Sequence, residues 1–276
     1  MTESARFRGR VAIVTGGGWN IGRAISERLA REGARVSVCG RREEPLHETV
    51  EAIRSAGGEA LAVRADATSA EDVAELVART EEAFGPVDAL AAIAGGGGGY
   101  EAIDAIEPDL FEHILRINVL GTFHAVRAVL PRMREHGRGT LLTCSGGGAW
   151  FPLLGVPLTA YATAKAGICR LTDQLAAELL ETPIRVNCLQ PGLVWSPERL
   201  REIEEEERRT GEPHPERAHN HPPEEAAELA AFLLSEESAP LTGRLVSVDD
   251  DWWRDRAKVE AVASSLHAYC LRRVEL

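Results

Sequence analysis

The chain has 276 residues, 44% of them hydrophobic, enough for one large core, and a formal net charge of −12. That acidic balance speaks against a nucleic-acid partner, whose phosphates require clustered Lys and Arg. No run approaches the ~18 apolar residues of a membrane span and the N-terminus lacks a signal-like stretch, so a single cytoplasmic domain over residues 1–276 with no membrane partner is expected.

Short apolar runs alternate with longer helical patterns along the chain. The first, Val11-Ala12-Ile13-Val14, leads into Thr15-Gly16-Gly17-Gly18-Trp19-Asn20-Ile21-Gly22 and then a helical spacing through Ile21, Ile25 and Leu29. Glycines at such a strand-to-helix junction let backbone N–H groups approach a pyrophosphate, and the helix N-terminus favours its charge; similar turns also serve packing alone. The second run, 35–39, ends at Gly40-Arg41-Arg42. A carboxylate there would suit the ribose hydroxyls of NAD, whereas guanidinium groups suit a 2′-phosphate. Arg41 and Arg42 therefore favour NADP over NAD; the alternative is that they only open a solvated helix.

Runs three to five fall at 60–63, 89–93 and 140–144, separated by helical patterns through Val73, Leu76, Val77 and Phe84, and through Ile114, Ile117, Leu120 and Phe123. Runs six and seven fall at 185–189 and 244–248. This alternation is the mark of βαβ units around a parallel sheet of seven strands. Residues 196–223 break the rhythm, first with charge (Glu204-Glu205-Glu206-Glu207-Arg208-Arg209) and then with His and Pro. They read as an exposed helix and a loop, either a solvated insertion or a mobile substrate lid. His214, His219 and His221 share no helix face across the prolines, so no metal is expected there. The five cysteines are odd in number and widely spaced, which suggests small buried hydrophobes rather than disulfides or zinc ligands. The tail, about 252–276, has apolar helical spacing and should dock.

The chain holds two lysines against 29 arginines, and one of them, Lys165, follows Tyr161 by four positions. That spacing puts both side chains on one helix face, about 5–6 Å apart at Cβ. A surface cation in this chain would be arginine; a compact ammonium that responds to burial is a different chemical choice.

Taken in order, these segments resemble the classical short-chain dehydrogenase/reductase family over about residues 9–249. The glycine turn resembles its T-G-x-x-x-G-x-G, Asp66-Ala67 its adenine-binding acid, Asn118 its helix asparagine, Tyr161 and Lys165 its Y-x-x-x-K. Arg185-Val186-Asn187 with Pro191-Gly192 resembles the segment lining the nicotinamide, and Thr242-Gly243 the turn before the last strand. The resemblance implies an α/β, Rossmann-like doubly wound fold, a seven-stranded parallel sheet with helices on both faces. It implies an NAD(P)-dependent oxidoreductase that interconverts a secondary alcohol and a ketone. Gly16, Trp19, Asn20, Ile21, Gly22, Arg41, Arg42, Asp66, Ala67, Ala94, Gly95, Pro191, Gly192 and Val194 would bind the cofactor together with Tyr161 and Lys165.

In that family reading Tyr161 is the acid or base, and Lys165 lowers its pKa and binds the nicotinamide ribose. Ser145 would hydrogen-bond the reacting oxygen, with Thr143 and Thr159 as alternatives, and Asn118 would hold a water in a relay to Lys165. Several positions depart from the family pattern. Asn20 stands for its middle glycine, Ala92-Ile93-Ala94-Gly95 for N-N-A-G, and Gly146 for the second of a serine pair. Asp249-Asp250-Asp251-Trp252-Trp253 stands for D-G-G, with acids and tryptophans that could cap a pocket, including a neighbouring subunit's. The polar lid suggests a small, hydroxylated substrate, and the resemblance implies a homotetramer or homodimer built on the long fourth and fifth helices. The competing reading is a cofactor-binding sensor or inactive subunit of the same fold.

Overall fold

Apolar runs this short become strands when both of their faces can be buried at once, which a parallel sheet covered by helices provides. The computed structural model describes residues 5–271. Its strands are β1 (Val11–Thr15), β2 (Arg35–Gly40), β3 (Glu59–Arg64), β4 (Ala89–Ala92), β5 (Gly139–Cys144), β6 (Ile184–Gln190) and β7 (Leu245–Ser247). They form one sheet in the order β3-β2-β1-β4-β5-β6-β7, every pair parallel. The strand order reverses between β1 and β4, which opens a crevice beyond their C-terminal ends.

The helices are α1 (Asn20–Arg31), α2 (Glu43–Ser55), α3 (Ala70–Phe84), α4 (Pro108–Leu115), α5 (Gly121–His136), α6 (Thr159–Glu178), α7 (Pro197–Thr210), α8 (Pro223–Leu234) and α9 (Arg256–Ser264). Alternation along β1 divides the core between two faces. Ala12 and Val14 join Ile25 and Leu29 of α1, Val50 of α2 and Leu233 of α8. Val11 and Ile13 join Leu76 of α3, Val129 and Met133 of α5 and Leu175 of α6. The expected Rossmann-like doubly wound arrangement follows.

Two features were not readable from periodicity. A π-type turn, Arg116–Leu120, joins α4 to α5, so the expected fourth helix is two helices around an irregular turn. In the tail, Trp252 and Trp253 cap no pocket but are buried in the chain's own core, Trp253 against Phe232 of α8 with ring centroids 5.3 Å apart. The buried Arg244 guanidinium donates to the carbonyls of Ala263, Ser265 and Ala268, which docks the tail as expected. The part of that expectation on residues 272–276 lies outside the described residues. No helix among the described residues is long and apolar enough to cross a membrane.

Candidate active site

At the crevice beyond β1 and β4 lies a cleft of about 650 Å³. Its lining brings together Gly16, Trp19, Asn20, Ile21, Gly22, Arg41, Arg42, Asp66, Ala67, Ala94 and Gly95, and also Cys39, Thr68, Ile93 and Ile117. Each of these last four neighbours in sequence a residue or segment already singled out, which is the only signal that could have found them. The glycine turn is as tight as such a junction allows: a Cβ on Gly22 would lie 2.1 Å from the Gly16 carbonyl oxygen. Asn20 adopts φ +45°, and its Nδ2 donates to the Trp195 carbonyl (3.3 Å), so its side chain ties the turn to the segment after β6.

The cleft fits a dinucleotide. Helix α1 has no side-chain cap and no acid in its first turn, which leaves its N-terminal amides and positive dipole end for an anion. The Arg42 guanidinium stands 5.4 Å from the centroid of the Trp19 ring on the same wall. One oxygen of Asp66 accepts hydrogen bonds from the Thr68 amide and hydroxyl, which fixes the carboxylate at the cleft margin.

Beyond the cleft, the first two turns of α6 carry Tyr161 and Lys165, with Nζ 5.5 Å from the tyrosine ring centroid. Lys165 is buried, and its Nζ donates to the Cys144 carbonyl at the end of β5 (3.1 Å). Asn118 lies fully buried in the π-type turn. Its Nδ2 donates to the Gly96 and Ile114 carbonyls (3.0 and 2.9 Å) and its Oδ1 accepts from the Gly96 amide (3.3 Å). This two-way grip, with the Ala94 amide donating to Thr15 Oγ1, anchors a glycine run that has no polar side chain of its own. A Cβ on Gly95 would stand 2.6 Å from Asn118 Oδ1 and 3.6 Å from Lys165 Nζ. Glycine is therefore what allows these groups to converge.

Burial pushes the Tyr161 phenol above its ordinary pKa, and the charges of Cys144 and Tyr100 add to the effect. The lowering expected from Lys165 does not prevail: its ammonium is hydrogen-bonded to a carbonyl and desolvation dominates.

Ser145 is buried with its Oγ toward the Leu189 carbonyl and Gln190 Oε1 (3.3 and 3.4 Å). Strand parity explains this, because Leu141, Thr143 and Ser145 share the face that packs on α6, where Thr143 bonds Thr172. The residue against the Tyr161 hydroxyl is Gly146, where a Cβ would lie 2.3 Å from it. Of the four expected catalytic residues the structure brings Asn118, Tyr161 and Lys165 together, while the Ser145 hydroxyl is engaged elsewhere. Thr159 is exposed at the start of α6.

Pro191, Gly192 and Val194 lie on the turn after β6, beyond the lining of the cleft. Gly192 has φ +72°, and a Cβ there would meet His221 Cδ2 at 2.4 Å. His221 is held by Glu225 and Asp249, with Nδ1 2.7 Å from Glu225 Oε2 and Nε2 3.2 Å from Asp249 Oδ1. Asn220 pairs with Leu193 and accepts from the Trp195 amide (2.8 Å). The far end of the 196–223 segment is thus fastened to the turn where it begins. Only Ile203 of α7 is buried. At its end a hydrogen bond from Arg217, helped by the His214 amide, holds the Glu207 carboxyl down to about 2.

This chain is similar to known proteins in sequence and in fold. The family model described as short chain dehydrogenase matches residues 10–208. The dehydrogenase/reductase SDR family member 4 of Sus scrofa is 35% identical over 253 residues, covering 87% of this chain and 85% of its own. Levodione reductase of Leifsonia aquatica is 32% identical over 260 residues, 90% of this chain and 96% of its own. An actinorhodin polyketide ketoreductase solved with NADPH superposes with a TM-score of 0.77 at 32% identity, covering 87% of this chain and 95% of that one. Sequence and topology agree, and the chain belongs to the short chain dehydrogenase family.

Proposed function

We propose that the chain is an NADP-dependent oxidoreductase that interconverts a ketone and a secondary alcohol on a small molecule, with Tyr161 as the acid. The observation that carries this reading is the meeting of Lys165 and Asn118 beside Gly95, which itself lines the cleft, with Lys165 Nζ 5.5 Å from the centroid of the Tyr161 ring. Arg41 and Arg42 in the same lining support NADP over NAD. Five free thiols among the described residues accord with the reducing cytosol.

When bound, the nicotinamide supplies the hydride. Tyr161, kept protonated by its burial, gives its proton to the carbonyl oxygen as negative charge develops there. Lys165 stabilises the phenolate left behind and holds the ribose side of the site. Asn118 fixes the glycine run, and with it the position of Gly95. Glycine at 146 means that the reacting oxygen receives one hydroxyl donor from this wall rather than two. A phenol that holds its proton favours reduction over oxidation.

The expectation of a hydroxylated substrate is not carried forward. It rested on lid charges, and most of those of α7 face solvent, with Arg199 paired to Glu202 and Glu207 to Arg217 of the following loop. A cofactor-binding sensor is the second reading, favoured by the engagement of Ser145 away from Tyr161. Following NADPH and NADH oxidation against a panel of ketones separates the two. Turnover preferring NADPH is expected; tight NADPH binding without turnover of any carbonyl would favour the sensor.

A further inference from the structure

Between β5 and α6 the chain runs from Gly146 to Leu158 without one charged side chain, and the Trp150 indole is the only side-chain hydrogen-bonding group. This is exceptional in a chain with 27% charged residues. Apart from Ala149 and Leu158 the loop does not bury its apolar side chains: Trp150, Phe151, Leu153, Leu154 and Val156 are all exposed, Leu154 at 90%. Trp150 and Phe151 meet edge to face with centroids 6.1 Å apart, so the aromatic surface is organised rather than splayed. Contiguous exposed apolar surface of this kind marks a binding site.

Its position says for what. The loop begins at Gly146, the residue against the Tyr161 hydroxyl, and Leu153 folds back to within 3.3 Å of the Cβ position of Gly147. Gly148 then approaches Ala162, the residue after Tyr161. The apolar surface is therefore continuous with the proposed proton donor. Two further large apolar groups are exposed on neighbouring loops, Tyr100 after β4 and Leu193 on the turn after β6.

We infer that the 149–158 loop is an apolar wall of the substrate site, and that the ketone reduced there is carried on a bulky aromatic or alicyclic group rather than on a polyhydroxylated chain. The inference rests on the reading of Tyr161 as proton donor. The step is an ordinary carbonyl reduction: the carbonyl carbon gains a hydride from NADPH and its oxygen gains the Tyr161 proton. The products are the secondary alcohol and NADP⁺, and solvent returns the proton to Tyr161.

The test is steady-state kinetics with NADPH on cyclohexanone, acetophenone and tetralone, against dihydroxyacetone and fructose. Each added buried methylene is expected to raise kcat/KM about threefold, so tetralone should exceed cyclohexanone by about tenfold or more. The double variant Phe151→Asp, Leu154→Asp should lose about tenfold in kcat/KM for tetralone while keeping its Kd for NADPH, which shows that it is folded. Preference for the polyols, or unchanged tetralone kinetics in the variant, would overturn the apolar wall and leave the reductase reading standing. Failure of every ketone despite NADPH binding would overturn that reading, and the wall with it.

Discussion

Gly146 decides how closely the Tyr161 hydroxyl can approach the end of β5. A Cβ there would fall 2.3 Å from that hydroxyl, so Gly146→Ala must displace the phenol. Misplacing a reacting group by about 1 Å costs about 10–100-fold in rate, and that loss in kcat is expected with NADPH affinity unchanged. A gain in kcat would show that the glycine is a defect, not a fit. The raised pKa of Tyr161 makes a second prediction. The acid form persists above the ordinary phenol value of about 10, so reduction should stay level through neutral and mildly alkaline pH, whereas oxidation should rise with pH. A reduction kcat/KM that already falls with pH below about 10, or an oxidation kcat/KM that falls as pH rises, would contradict the assignment. Tyr161 and Lys165 were legible in the sequence because four-residue spacing is a local property of a helix. Ser145 was not, because which residue faces the site depends on strand parity at the end of β5, and a run of glycines hides where the strand stops.

At the scale of elements, the two irregular segments are fastened by polar residues, Asn220 and His221 for one and Arg244 foremost for the other. Arg244 holds the tail through three backbone carbonyls. Arg244→Ala leaves those carbonyls poorly satisfied and should lower stability by about 2–3 kcal/mol in urea denaturation, with the slope preserved. An unchanged midpoint would mean that the tail docks without the Arg244 hydrogen bonds. The charge pattern of residues 196–210 announced the exposed helix α7, and the Gly-Arg-Arg junction announced the cleft. The π-type turn around Asn118 stayed hidden because apolar spacing runs on through Ile114, Ile117 and Leu120 as if the helix were regular. Trp252 and Trp253 were misread for a related reason: acidic neighbours argue for the surface, while packing on α8 places the rings in the core.

For the whole molecule, seven apolar runs separated by helical patterns leave few topologies once crossovers are right-handed, so the sheet was legible, and with it the crevice where a nucleotide cofactor sits. Assembly is less legible, since it depends on surface shape. Helices α5 and α6 border an open groove of about 520 Å³ lined by Phe123, Leu130, Pro131 and Leu171, and Phe123 is 43% exposed. We propose that the dimer or tetramer forms across this face. Phe123→Glu should then shift the light-scattering mass to that of a monomer; a wild-type protein that is already monomeric would refute the interface. The central claim is proton donation by Tyr161, and the most direct measurement is kcat of Tyr161→Phe for NADPH-dependent ketone reduction, with NADPH affinity measured on the same sample. Losing one positioned acid predicts a fall of about 100-fold or more with NADPH affinity retained. Undiminished turnover would contradict it.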